Sequence, residues 1–274
     1  MKMFLTRDNT KLHYYDEGKG TPIVFVHGWS GSLEGFLPQM QPLQSKYRTI
    51  AFTHRGHGFS ERPDHGYTIP NLAQDLNDLL NFLNLDKVVI CGWSMGAMTL
   101  FEYVKQFGCD RLIGAISIDM TPKLVNDESW DKGLYDGEYK QADFSKDLTT
   151  IFDNFLDFMG GFMFKALPYI TPELAQEMEK ETLLSGIPPA SLLALSGLWN
   201  GMAVVDYRES IAGITCPFQI IRGNQKSLYS RATADYIAEK VPGTKIVEID
   251  GTHMCPVEKP AEVTEAIRSF MESL

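Results

Sequence analysis

Six short apolar runs recur along the chain: Ile23–Val26, Thr49–Phe52, Val88–Cys91, Ile113–Ile118, Phe218–Ile221 and Lys245–Ile249. A strand that is apolar on both faces is buried on both faces, the habit of parallel sheets covered by helices. Helix-like segments lie between the runs, around Leu37–Gln44, Asn71–Leu83, Met98–Phe107 and Thr233–Lys240. A last one, Pro260–Leu274, opens on a proline, whose fixed φ suits a first helical turn. In Asn71–Leu83 the residues Leu72, Leu76, Leu79, Leu80 and Leu83 recur at helical spacing on one face. This alternation predicts an α/β fold with a mostly parallel, doubly wound sheet. Before it, Met3–Thr6 and Lys11–Tyr15 flank a polar turn and predict an N-terminal hairpin.

The alternation breaks between about Lys123 and Val205, where no strand-like run occurs. Aromatic and methionine residues crowd that stretch, and Phe152, Phe155, Met159 and Phe162 follow helical spacing. Pro168, Pro172, Pro188 and Pro189 punctuate it. The expected organisation is therefore a core formed by residues 1–122 and 206–274, with a helical cap inserted over residues 123–205. An insertion of roughly 80 residues is of small-domain size.

One turn in the core carries chemistry. Gly92-Trp93-Ser94-Met95-Gly96 follows the apolar run Val88–Cys91 and precedes the helical stretch from Met98. A serine at the apex of a sharp strand-to-helix turn has strained backbone angles, and its neighbours two before and two after must be nearly free of side chain. Its hydroxyl then stands at a helix N-terminus, where unpaired N–H groups favour developing negative charge. Such a hydroxyl is suited to attack a carbonyl carbon once a base removes its proton and a carboxylate orients that base. Of the six histidines, His253 is the best placed. It follows the last strand through Asp250-Gly251-Thr252, on a loop expected at the sheet's carboxyl edge. His27, in Val26-His27-Gly28-Trp29, fits a structural hydrogen-bonding role in a tight loop better than that of a second base.

Composition narrows the partners. A formal net charge of −10 argues against nucleic acid and against an anionic membrane surface. No apolar stretch approaches the length of a membrane span, and Met1–Arg7 lacks the apolar core of a signal peptide. Cys91, Cys109, Cys216 and Cys255 have no metal-type spacing and read as free thiols of a reducing compartment. The expectation is a cytoplasmic protein without metal or cofactor, acting on a small molecule, with a homo-oligomer left open.

At these residues the chain resembles the α/β-hydrolase superfamily. The resemblance runs from His27-Gly28-Trp29 through Arg55-Gly56, Gly58-Phe59-Ser60 and the Ser94 pentapeptide to His253 and Glu258-Lys259-Pro260. Within the superfamily it looks closest to small serine esterases related to cofactor-free haloperoxidases and perhydrolases. Most members carry the orienting acid after the penultimate strand, in a Gly-x-x-Asp pattern, but this chain reads Gly223-Asn224-Gln225-Lys226. The replacement is Asp119, at the end of Ile113–Ile118, where a subset of the superfamily places its acid. The order Ser94, Asp119, His253 follows the superfamily's order of nucleophile, acid and base. The bland alternative for Asp119 is a strand-end residue in the turn before Pro122.

The resemblance further implies an oxyanion site built from the backbone N–H groups of Met95 and Trp29. Met120 and Leu228, each following a sheet strand, and Phe158 and Phe162 in the cap, are the expected pocket residues. A wall rich in Met and Phe favours apolar groups. The expected activity is a serine carboxylic-ester hydrolase acting on small, mainly apolar esters or lactones, with possible perhydrolase side activity. C–C, amide or thioester hydrolysis by the same residues is the alternative, with a ligand-binding receptor on the same fold behind it. An aspartate-dependent dehalogenation is disfavoured, because the elbow offers Ser94.

Overall fold

The computed structural model describes residues 1–167, 169–171, 173 and 185–274. Eight strands form one sheet: β1 (Lys2–Leu5), β2 (Lys11–Glu17), β3 (Pro22–Val26), β4 (Arg48–Phe52), β5 (Val88–Trp93), β6 (Leu112–Ile118), β7 (Phe218–Gly223) and β8 (Lys245–Ile249). Their spatial order is β1-β2-β4-β3-β5-β6-β7-β8. β1 and β2 pair antiparallel, β2 joins β4 antiparallel, and β4-β3-β5-β6-β7-β8 are parallel. The apolar runs are the parallel strands. β5 and β7 are buried at every residue, as expected of strands covered on both faces.

Helices α1 (Leu37–Leu43), α2 (Ile69–Phe82) and α3 (Met95–Phe107) follow β3, β4 and β5. α2 begins two residues before the leucine stripe predicts. Thr68 supplies its N-cap, accepting from the Asn71 N–H at 3.3 Å, and Pro70 stands in its first turn. Leu72, Leu76, Leu79 and Leu80 are fully buried, each contributing about 1.5–3 kcal/mol of transfer free energy. α2 and α3 pack into the core on one face of the sheet. α1 and the terminal helix pack on the other, around Phe36, Met40, Ile267 and Phe270.

Among the described residues, three α-helices lie between β6 and β7: α4 (Gln141–Asp153), α5 (Phe155–Ala166) and α6 (Leu192–Val204). The spacing of Phe152, Phe155, Met159 and Phe162 does not belong to one helix. Asn154, at φ −151° and ψ 82°, breaks the chain between α4 and α5, and its side chain caps α5 by accepting from the Asp157 N–H. Phe152 is consequently left exposed at the end of α4. Pro188 and Pro189 lie in the approach to α6, whereas Pro168 and Pro172 fall outside the described residues. After β7 come α7 (Arg231–Lys240), a one-turn helix α8 (Cys255–Glu258) and α9 (Pro260–Glu272).

The chain reverses its winding at β3, which lies between β4 and β5. Crevices form outside the carboxyl ends of strands at such a switch point. The loops after β3, β5, β6 and β8 all leave that edge.

Candidate active site

Ser94 sits between β5 and α3 at φ 54° and ψ −124°, a left-handed backbone that a serine adopts only under strain. The turn is possible because two glycines flank it. A Cβ on Gly96 would stand 1.9 Å from the Val26 carbonyl oxygen, and one on Gly92 would stand 2.4 Å from the Gly96 carbonyl oxygen. Both obstacles are backbone, so neither can yield. Gly28 is close behind: a Cβ there would stand 3.1 Å from Ser94 Cβ.

The sheet ladder sets the height of Ser94 and Asp119. The Ser94 N–H donates to the Ile118 carbonyl at 2.9 Å, and the Asp119 N–H donates to the Ile221 carbonyl at 2.8 Å. Pairing therefore runs one residue past β5 and β6, and the two side chains leave adjacent strands at the same edge. Asp119 also has positive φ, 47°, and is buried. His253 arrives from β8. Its carbonyl accepts from Trp93 Nε1 at 3.1 Å, and the preceding Thr252 is gripped by Glu258, which accepts the Thr252 N–H and hydroxyl at 2.7 Å each. Tyr169 donates its hydroxyl to the same carboxylate.

These anchors bring three side chains into line. His253 Nε2 lies 3.1 Å from Ser94 Oγ, and His253 Nδ1 lies 2.6 Å from Asp119 Oδ2. The carboxylate can only accept, so Nδ1 carries the proton and Nε2 faces the hydroxyl as an acceptor. That tautomer can take a proton from Ser94. Lys226, in the sequence position where most of the superfamily carries its acid, is exposed with φ 47°. The next residue, Ser227, reaches inward and donates its hydroxyl to Asp119 Oδ2.

A cavity of about 500 Å³ opens over Ser94 and His253, lined among others by Gly28, Trp29, Phe162, Met254 and Val257. Met95 is the first residue of α3, so its N–H belongs to the first-turn donors that have no partner inside the helix. Trp29 follows β3 in the loop over the cavity. Its indole donates to the Leu195 carbonyl of α6 at 2.9 Å, and its ring meets Phe158, Phe162 and Trp199 edge-on.

The four expected pocket residues divide. Phe162 lines the cavity at Ser94 and also a neighbouring one of about 370 Å³. Phe158 lines only the neighbouring cavity of these two. Met120 and Leu228 are buried outside both linings, and Met120 Sδ accepts from the Tyr229 hydroxyl at 3.2 Å. Both follow a strand, as expected, but both are packed into the hydrophobic core. Ile187, Pro188, Pro189 and Ala190, ahead of α6, form wall that sequence spacing did not single out.

Behind the site His27, His54 and His57 are buried together. His27 Nδ1 donates to the Gly28 carbonyl at 2.7 Å and its Nε2 accepts from the His54 N–H at 3.0 Å, tying the loop after β3 to that after β4. Burial, reinforced by the neighbouring rings, pushes His27 down to about 3 and His54 well below the ordinary histidine value. Burial likewise pushes His57 down to about 4. All three are neutral spacers at physiological pH. Among the described residues no group of three or more His, Cys, Asp or Glu is arranged to hold a metal ion, and no helix is long and apolar enough to cross a membrane.

A mostly parallel sheet with a serine elbow at its carboxyl edge defines a fold class, and comparison with known sequences gives the family. The profile of the alpha/beta hydrolase fold matches residues 21–260, and the chain belongs to that family. It is 28% identical over 282 residues to a non-heme haloperoxidase of Rhodococcus erythropolis, with all of both chains covered. It is 37% identical to the non-heme chloroperoxidase CPO-A1 of Kitasatospora aureofaciens over 126 residues, 46% of each chain. The esterase EaEST of Exiguobacterium antarcticum has the same fold, with a TM-score of 0.87 at 22% identity over 98% of both chains.

Proposed function

We propose that the protein is a serine carboxylic-ester hydrolase. The observation that carries this reading is the continuous line from Ser94 Oγ through His253, 3.1 Å away, to Asp119 Oδ2, 2.6 Å beyond the ring. In the proposed reaction Ser94 attacks the ester carbonyl as His253 Nε2 takes its proton, while Asp119 holds the ring and stabilises the imidazolium. The oxyanion rests on the backbone N–H groups of Met95 and Trp29. The alcohol leaves with the proton from His253, and water activated by the same ring then releases the acid from the acyl-enzyme. Hydrogen peroxide in place of water would release a peracid and free Ser94, a side reaction in keeping with the haloperoxidase relatives.

The segment 123–205 serves in this reading as a cap that shapes the substrate. Phe162, Met163, Ile187, Pro188 and Ala190 bring apolar surface to the cavity, and Glu34 is the one carboxylate among its described lining residues. Such a wall suits small, mainly apolar esters or lactones. The test couples two measurements. A fluorophosphonate should label Ser94 stoichiometrically, and p-nitrophenyl acetate or butyrate should turn over in steady state. Labelling without turnover would replace the hydrolase by a binding protein on the same fold.

A further inference from the structure

Asp119 receives both of its side-chain hydrogen bonds on one oxygen. Oδ2 accepts from His253 Nδ1 and from Ser227 Oγ, while Oδ1 is buried without a donor among the described residues. Ser227 comes from the loop after β7, a different element from both Asp119 and His253. The left-handed turn at Lys226 directs the lysine to solvent and the serine inward. Other titratable groups surround the pair. Tyr229 and Cys255 are pushed up by burial and then by the Asp119 charge, so both stay neutral. Arg222 pairs with Glu248 at 2.8 Å, and Glu258 is engaged by Thr252 and Tyr169. Ser227 is therefore the neutral donor that competes directly with the imidazole for the acid's oxygen.

We infer that Ser227 is a positioning residue, which fixes the rotation of the Asp119 carboxylate and sets how tightly His253 holds its catalytic proton. The inference rests on the reading of Ser94, His253 and Asp119 as the reacting line. A hydroxyl donated to a carboxylate withdraws negative charge from the oxygen it touches. Less charge then faces the imidazolium, and the ring gives up its proton more easily. Without the hydroxyl the carboxylate binds the imidazolium more strongly and is freer to turn.

The experiment compares Ser227→Ala, Ser227→Thr and wild type by the pH dependence of kcat/KM on p-nitrophenyl butyrate. Ser227→Ala should move the acid limb to higher pH by roughly half a unit to one unit, because a hydrogen bond to the charged acid is lost. Ser227→Thr, which retains the donor, should leave the limb in place. In parallel, the downfield proton resonance of His253 Nδ1–H, identified by its loss in Asp119→Asn, is titrated in all three proteins. An alanine variant whose limb and resonance titrate with wild type, or a threonine variant displaced as far as alanine, overturns the inference. The resonance reads the effect whether or not esters turn over, and absence of fluorophosphonate labelling at Ser94 marks failure of the underlying reading instead.

Discussion

Ser94 and Asp119 share an unusual backbone feature: both are non-glycine residues with positive φ at the carboxyl edge of adjacent strands. Strain of this kind costs on the order of 1–3 kcal/mol per residue and persists where surrounding structure imposes it. Here the surroundings are the sheet ladder, which holds both N–H groups, and, at Ser94, the flanking glycines. The strain turns the two side chains toward His253. Ser94→Ala should therefore lower kcat by about 10³-fold or more while leaving the fold intact, measured by ester turnover and thermal unfolding. In the proposed mechanism Asp119→Asn removes the charge that fixes the ring tautomer and should cost at least roughly 10²-fold. Near-normal turnover by the asparagine variant would place the orienting acid elsewhere.

At the level of elements, the decisive contact is between α3 and β3. Gly96 lies so near the Val26 carbonyl that a methyl group would sit inside its oxygen. Gly96→Ala should push α3 off the sheet and give insoluble protein or a Tm lower by on the order of 10 °C. Gly160, exposed in the middle of α5 with nothing near its added Cβ, provides the contrast. Gly160→Ala should raise Tm by roughly 1–3 °C, since alanine loses less conformational freedom in a helix than glycine does. If the two substitutions changed Tm alike, helix propensity rather than packing distance would govern both sites. Trp29 links the same level to the cavity, because its indole ties the loop after β3 to the carbonyl of Leu195 in α6.

Across the whole molecule, the three buried imidazoles couple stability to pH. His27, His54 and His57 have values depressed in the fold relative to the roughly 6.5 of an unfolded histidine. Between about pH 4 and 6.5 the unfolded chain therefore binds more protons than the folded one, so stability falls as pH falls through that window. Each histidine contributes about 1.4 kcal/mol per pH unit while it remains neutral only in the fold. Urea unfolding should give a clearly lower midpoint at pH 5 than at pH 7, and His57→Gln should narrow the difference without abolishing it, since His27 and His54 remain. A midpoint that rose on acidification would contradict neutral burial.

What a sequence displays is local periodicity, and local periodicity accounts for the strands, the α2 stripe and the glycine-flanked serine. These follow from which side chains can be buried along a few residues of backbone. The break at Asn154 was hidden because Phe152, Phe155, Met159 and Phe162 keep helical spacing across two helices. Which loop ends meet is a non-local matter, decided by strand order. Asp119 stands beside Ser94 because β6 adjoins β5, His253 reaches both from the loop after β8, and Ser227 joins them from the loop after β7. The same geometry turned Met120 and Leu228 into the core and made Pro188 and Pro189 part of the cavity wall. Spacing along the chain carries no record of those directions, since they arise from how separate elements pack.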